Sequence, residues 1–74
     1  MKCRYILLKC VLEKRESYGV AAVCDYDDTE VILQSFTDLS ADRTAVEDFV
    51  NNCNLYELSI CHLGDAVDDL LAEI

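Results

Sequence analysis

Proline and tryptophan are absent from this 74-residue chain, glycine occurs twice and histidine once. The lack of proline argues against a stiff linker. Two isolated glycines, Gly19 and Gly64, cannot build a glycine-rich phosphate loop or a nucleophile elbow. A single histidine, His62, removes most Ser–His–Asp and Cys–His arrangements, and no C-x-x-C pair is present to start a zinc site. No apolar run approaches the roughly 20 residues that a membrane-spanning helix needs. Bases are scarce as well, 6 Lys and Arg against 15 Asp and Glu, for a net charge of −9. A field of that sign repels nucleic acid and anionic membrane surfaces and attracts basic proteins, although it also serves solubility alone. These absences lead us to expect no enzyme, no cofactor, no metal, no direct nucleic-acid contact and no membrane.

What is present is a chain that packs. Its hydrophobic fraction of 53% excludes disorder and its length allows one domain. A domain this small buries only about 60% of its unfolded surface, so a partner or a second copy would help to complete it. The charge is uneven. Residues 1–16 hold five bases against two acids, whereas residues 17–74 hold one base, Arg43, against thirteen acids. The five cysteines are odd in number and dispersed. The apolar run near the N-terminus is interrupted by Lys9 and too short for a secretory leader, so the cysteines read as reduced and the protein as cytoplasmic.

The periodicity predicts α+β: a three-stranded antiparallel meander over about 4–12, 19–26 and 30–37, then two amphipathic helices over about 41–53 and 60–73 packed on one face. In the first strand Ile6, Leu8, Cys10 and Leu12 share one side, while Tyr5, Leu7 and Val11 share the other with Lys9, so both sides are largely apolar. Residues 13–18 are expected to connect it to the second strand, and Asp25 to Thr29 to form the next turn. In the first helix Ala45, Val46, Phe49, Val50 and Cys53 make the inner stripe, with Ser40 as N-cap, Asp42 in the first turn and Asn54 closing the end in the left-handed conformation. In the second, Leu63, Ala66, Val67, Leu70, Leu71 and Ile74 make the stripe and Ser59 the cap.

Several residues together carry a resemblance: Asp38-Leu39-Ser40-Ala41-Asp42-Arg43, then Val46, Phe49, Val50, Cys53-Asn54, Leu58-Ser59, His62-Leu63, Asp65, Val67, Asp69 and Leu70, with Tyr18-Gly19-Val20 upstream. This pattern resembles a family of short uncharacterised bacterial proteins, a domain of unknown function, over most of residues 18–71. Where that family has proline and isoleucine after the serine, this chain has Ile60 and Cys61, so the pre-organised helix start that proline supplies is missing. The resemblance implies a fold and a bacterial or phage source, and no activity.

Candidate chemistry is thin. Cys61 and His62 would sit at the start of the second helix, where backbone N–H groups can activate a thiol, but neighbouring helix residues point about 100° apart and no third group orients them. Cys53 with Cys61 and His62, or His62 with Asp65 and Asp69, lack a recognised ligand spacing. Asp25, Asp27, Asp28 and Glu30 lack the glycine of a calcium loop and read as a turn. The feature that stands out is a row of carboxylates, Asp65, Asp68 and Asp69, at i, i+3 and i+4 on a helix without a single base. With His62, Glu47 and Asp48 this row makes an acidic surface suited to a basic protein partner, in its sharpest form the groove of a nucleic-acid-binding protein. The alternative expectation is a small structural or regulatory homodimer that buries Tyr5, Leu7 and Val11 against a second copy.

Overall fold

A computed structural model describes residues 2–73. Three strands, β1 (Lys2–Leu12), β2 (Arg15–Tyr26) and β3 (Thr29–Ser40), are followed by helix α1 (Arg43–Leu55), a 3-10 turn (Ile60–His62) and helix α2 (Leu63–Glu73). The strands form one antiparallel sheet in the order β1-β2-β3, with both helices on one face. The expected α+β class and element order stand, and the strands run longer than the sequence pattern implied.

The largest gain, at the start of β2, comes from the first turn. Glu13 and Lys14 take φ of 47° and 69°, and Asp27 and Asp28 take φ of 51° and 63°. Two consecutive residues with positive φ form the tight two-residue hairpin that matches strand twist. Thus β2 starts at Arg15, and the six-residue connection expected over 13–18 shrinks to two residues. Aspartate tolerates the left-handed region, but glutamate and lysine do so at a penalty. The double substitution Glu13→Asn with Lys14→Gly is therefore expected to raise stability by about 1 kcal/mol; a urea midpoint at or below that of the native chain would count against this turn.

One face of the sheet makes the core. Tyr5 and Leu7 from β1, Tyr18, Val20 and Ala22 from β2, and Phe36 from β3 stand on the same side, with Leu7 opposite Val20 and Val20 opposite Phe36. Val46, Val50 and Cys53 of α1 and Leu63 and Val67 of α2 pack onto them, joined at the margin by Phe49, Leu58 and Ile60. The inner stripes expected from periodicity are these, except that Leu71 is 45% exposed and Ile74 lies outside the described residues. Each fully buried apolar side chain of this size contributes about 1.5–3 kcal/mol of transfer free energy. On the opposite face Ile6, Leu8 and Cys10 are half-buried, and Ala21 and Val23 are fully covered, flanked in register by Ile6 with Ser35 and by Arg4 with Ile32.

The caps differ from expectation. Asp42, not Ser40, is the N-cap of α1, accepting from the Ala45 N–H at 3.2 Å, while the Ser40 hydroxyl accepts from the Asp42 N–H at 3.0 Å. Both sit before the helix, and Asp42 is one turn from the N–H groups that lack partners. The helix also runs past Asn54. It ends in a Schellman motif: the Leu58 N–H donates to the Cys53 carbonyl at 3.0 Å and the Glu57 N–H to the Asn54 carbonyl at 3.2 Å, with Glu57 in the left-handed region at φ 49°. Ser59 precedes α2 without a side-chain capping bond, and a 3-10 turn closed by the His62 N–H on the Ser59 carbonyl leads into the helix in place of a proline start.

Candidate functional site

Two features compete for the functional role, the carboxylates of α2 and the junction between β1 and the helical hairpin. On α2, Asp65, Asp68 and Asp69 are exposed and fall on the side away from Leu63, Val67 and Leu70. Asp65 lies in the first turn, where the positive end of the helix dipole favours it; Asp68 and Asp69 lie beyond that turn. None of the three makes an ion pair among the described residues. Four of the six bases are engaged elsewhere: Arg4 with Asp25 at 3.5 Å and Glu30 at 2.9 Å, Lys9 with Glu16 at 3.3 Å, Arg15 with Asp38 at 3.6 Å, and Arg43 with Glu47 at 3.4 Å. Of the outlying candidates on α1, Asp48 is exposed and unpaired among the described residues, whereas Glu47 is partly neutralised by Arg43. His62 is exposed on the 3-10 turn just before α2.

The junction was not visible in the sequence pattern. Asn54, projecting from the last turn of α1, accepts from the Tyr5 N–H at 2.8 Å through its Oδ1 and donates from its Nδ2 to the Tyr5 carbonyl at 2.9 Å. One amide side chain thereby does what a neighbouring strand would do. The Tyr5 hydroxyl reaches the opposite way and donates to the Leu58 carbonyl, so a single residue of β1 ties the sheet to both sides of the hairpin bend. Burial pushes the Tyr5 phenol above its usual range, and the nearby Cys53 and Cys61 thiols add to the shift. Burial likewise raises the Cys53 thiol, which keeps it protonated and inert as a core residue. Because Tyr5 is 6% exposed and Leu7 packs against the same core, the two are covered by the chain's own helices and are not free to bury against a second copy; Val11, at 62% exposure, lies beyond that cover.

The cysteines also depart from expectation. Cys3 and Cys24 face each other across β1 and β2 with Cα atoms 4.0 Å apart and are joined as a disulfide. Cys10, Cys53 and Cys61 are free. The reading of all five as reduced is thus corrected. Cys61 and His62 are exposed neighbours on a three-residue turn, and among the described residues no group of three or more His, Cys, Asp and Glu side chains gathers to hold a metal ion. No helix of the described residues is long and apolar enough to cross a membrane.

The model of a family of unknown function (DUF6514) matches residues 1–73. The chain belongs to this family. Its match takes in β1 and the first hairpin as well as the segment from Tyr18 onward, so β1, the Asn54 contact and the α2 carboxylates all fall within the region that defines membership. No curated protein and no solved structure matches the chain.

Proposed function

We propose that this member of the DUF6514 family is a non-enzymatic acidic interaction module that docks through α2 onto a basic protein. The observation that carries the reading is the distribution of ion pairs among the described residues: Arg4, Lys9 and Arg15 pair on the sheet and Arg43 at the start of α1, and the Asp65, Asp68, Asp69 row is left uncompensated and exposed. Like charges at i, i+3 and i+4 cost helix stability, and a basic partner would turn that repulsion into attraction. Asp48, Glu47 and His62 border the row in the proposed contact. In its sharp form the partner is a nucleic-acid-binding protein whose groove takes the carboxylates where phosphates would lie, which makes the module an inhibitor of that groove.

Capture of partners from the native host, with the native chain and with Asp65→Asn, Asp68→Asn and Asp69→Asn combined, tests this. The partner is expected to be basic, to be released as salt rises, and to bind the triple variant roughly 10- to 100-fold more weakly. Retention that ignores salt, or a triple variant that binds as the native chain does, would remove the proposal.

A further inference from the structure

The edge of β1 is the second surface that calls for a partner. β1 has β2 on one side and, among the described residues, no strand on the other, and its register with β2 runs unbroken from Lys2 opposite Asp25 to Leu12 opposite Arg15. The Asn54 contact fixes which backbone groups point outward. Since the Tyr5 N–H and carbonyl are bonded to Asn54 and not to β2, the alternation of an antiparallel ladder turns those of Leu7, Lys9 and Val11 toward the open edge too. Among the described residues nothing bonds to them. Natural sheets guard such edges with proline, bulges or rows of charge. Here the stretch from Leu7 to Leu12 has no proline and no bulge, and one charge, Lys9, which leans on Glu16 of the neighbouring strand. The other edge, β3, is guarded: its pairing with β2 shifts between Ala22 and Val23 and again between Tyr18 and Val20, and Asp38 sits in the left-handed region at φ 55°.

We infer that the occupant of this edge is a second copy of the chain, paired antiparallel through β1 about a two-fold axis at Cys10. Three local registers compete. A two-fold at Leu8 would need the outward groups of Tyr5, which Asn54 already holds. A two-fold at Lys9 would set the two lysines directly opposite each other, a destabilising arrangement. A two-fold at Cys10 sets Lys9 opposite Val11 of the other copy and one step along from its Glu13, an acid the lysine can attract. It also sets Leu8 opposite Leu12. The outward N–H and carbonyl groups of Lys9 and Val11 then bond reciprocally, and Leu12 and Val11, 54% and 62% exposed in one copy, lose water-facing area. Cys10 uses its own backbone groups toward β2, so it meets its copy at a non-hydrogen-bonded position, where Cα atoms approach to about 4.5 Å and side chains to disulfide range. This surface is separate from the α2 carboxylates, and its fate does not decide theirs.

Light scattering on the Cys10→Ser chain at micromolar concentration, with the Cys3–Cys24 bond kept, is expected to give twice 8.4 kDa. Val11→Pro removes an N–H that the single copy does not use, so the fold is expected to remain and the mass to fall to one copy. Val11→Lys, which faces Lys9 of the other copy, is expected to do the same and serves if the proline variant does not fold. In the native chain, glutathione disulfide is expected to convert two Cys10 thiols into one intermolecular disulfide with release of two glutathione thiols, and Cys53→Ser with Cys61→Ser is expected to leave that product unchanged. A monomer at all these concentrations, a dimer indifferent to both Val11 variants, or a cross-link through Cys53 or Cys61 would each overturn the inference.

Discussion

Gly19→Ala is expected to destabilise the protein by about 3 kcal/mol, enough to unfold much of a domain of this size. Gly19 is buried in the middle strand, against the Phe36–Thr37 backbone of β3. A Cβ built there would overlap the Phe36 carbonyl oxygen and would come within 3.0 Å of the Thr37 Cα and 3.1 Å of the Phe36 carbonyl carbon. All three are backbone atoms, so no side chain can rotate away; β3 itself has to move, at the point where its register already shifts. Gly64, in the first turn of α2, provides the control, since a Cβ there meets nothing within 4 Å. Thermal unfolding of the two variants side by side reads the contrast. A Gly19→Ala melting temperature equal to that of the native chain would mean that β3 does not lie so close.

Reduction of the Cys3–Cys24 bond is expected to remove about 2–3 kcal/mol. The two residues are 21 apart in sequence, and releasing the bond returns the entropy of that loop to the unfolded chain. The loss is smaller than for a bond that closes a longer loop, because the entropy returned to the unfolded chain grows with loop length. The measurement is a pair of urea titrations on the Cys10→Ser chain, oxidised and reduced, with the pairing confirmed by peptide mapping. Coincident midpoints would show that the bond adds nothing to the fold.

Part of this structure was readable from residue order. The short apolar run Tyr5 to Leu12 ended by charged residues, and the helical spacing of Val46, Val50 and Cys53, and of Leu63, Val67 and Leu70, gave the class, the order of elements and most of the core. The disulfide was missed because the cysteines are odd in number and dispersed and the apolar run near the N-terminus is too short for a secretory leader, and the expected connection also hid the pairing. With residues 13–18 as a six-residue connection, Leu12 stands opposite Gly19 and Cys24 falls opposite Leu7, so Cys3 has no thiol across from it. With Glu13 and Lys14 alone in the turn, Leu12 stands opposite Arg15 and the same count brings Cys3 to Cys24. The deciding fact is that two charged residues accept positive φ, which propensity opposes. The covered face was assigned to a second copy on similar grounds: both sides of β1 are apolar, and nothing local distinguishes them. Which side the helices take is settled by the in-register neighbours Val20, Ala22 and Phe36, a long-range matter. Asn54 suited a helix-ending role by its type, and only the tertiary approach of Tyr5 gives its amide a different use. By contrast the α2 carboxylates were legible outright, because exposure of Asp65, Asp68 and Asp69 follows from the burial of the opposite stripe.

The irregular pairing of β3 bears on how far the protein can assemble. A sheet with two receptive margins polymerises, because each added subunit offers the next one a fresh template. Here the shifted register and the left-handed Asp38 leave the β3 margin a poor template, so copies joined at β1 would form a closed pair with nowhere to continue. On that view the register shift opposite Ala22 and Val23 and the left-handed Asp38 act as chain terminators, holding a small apolar sheet short of a fibril.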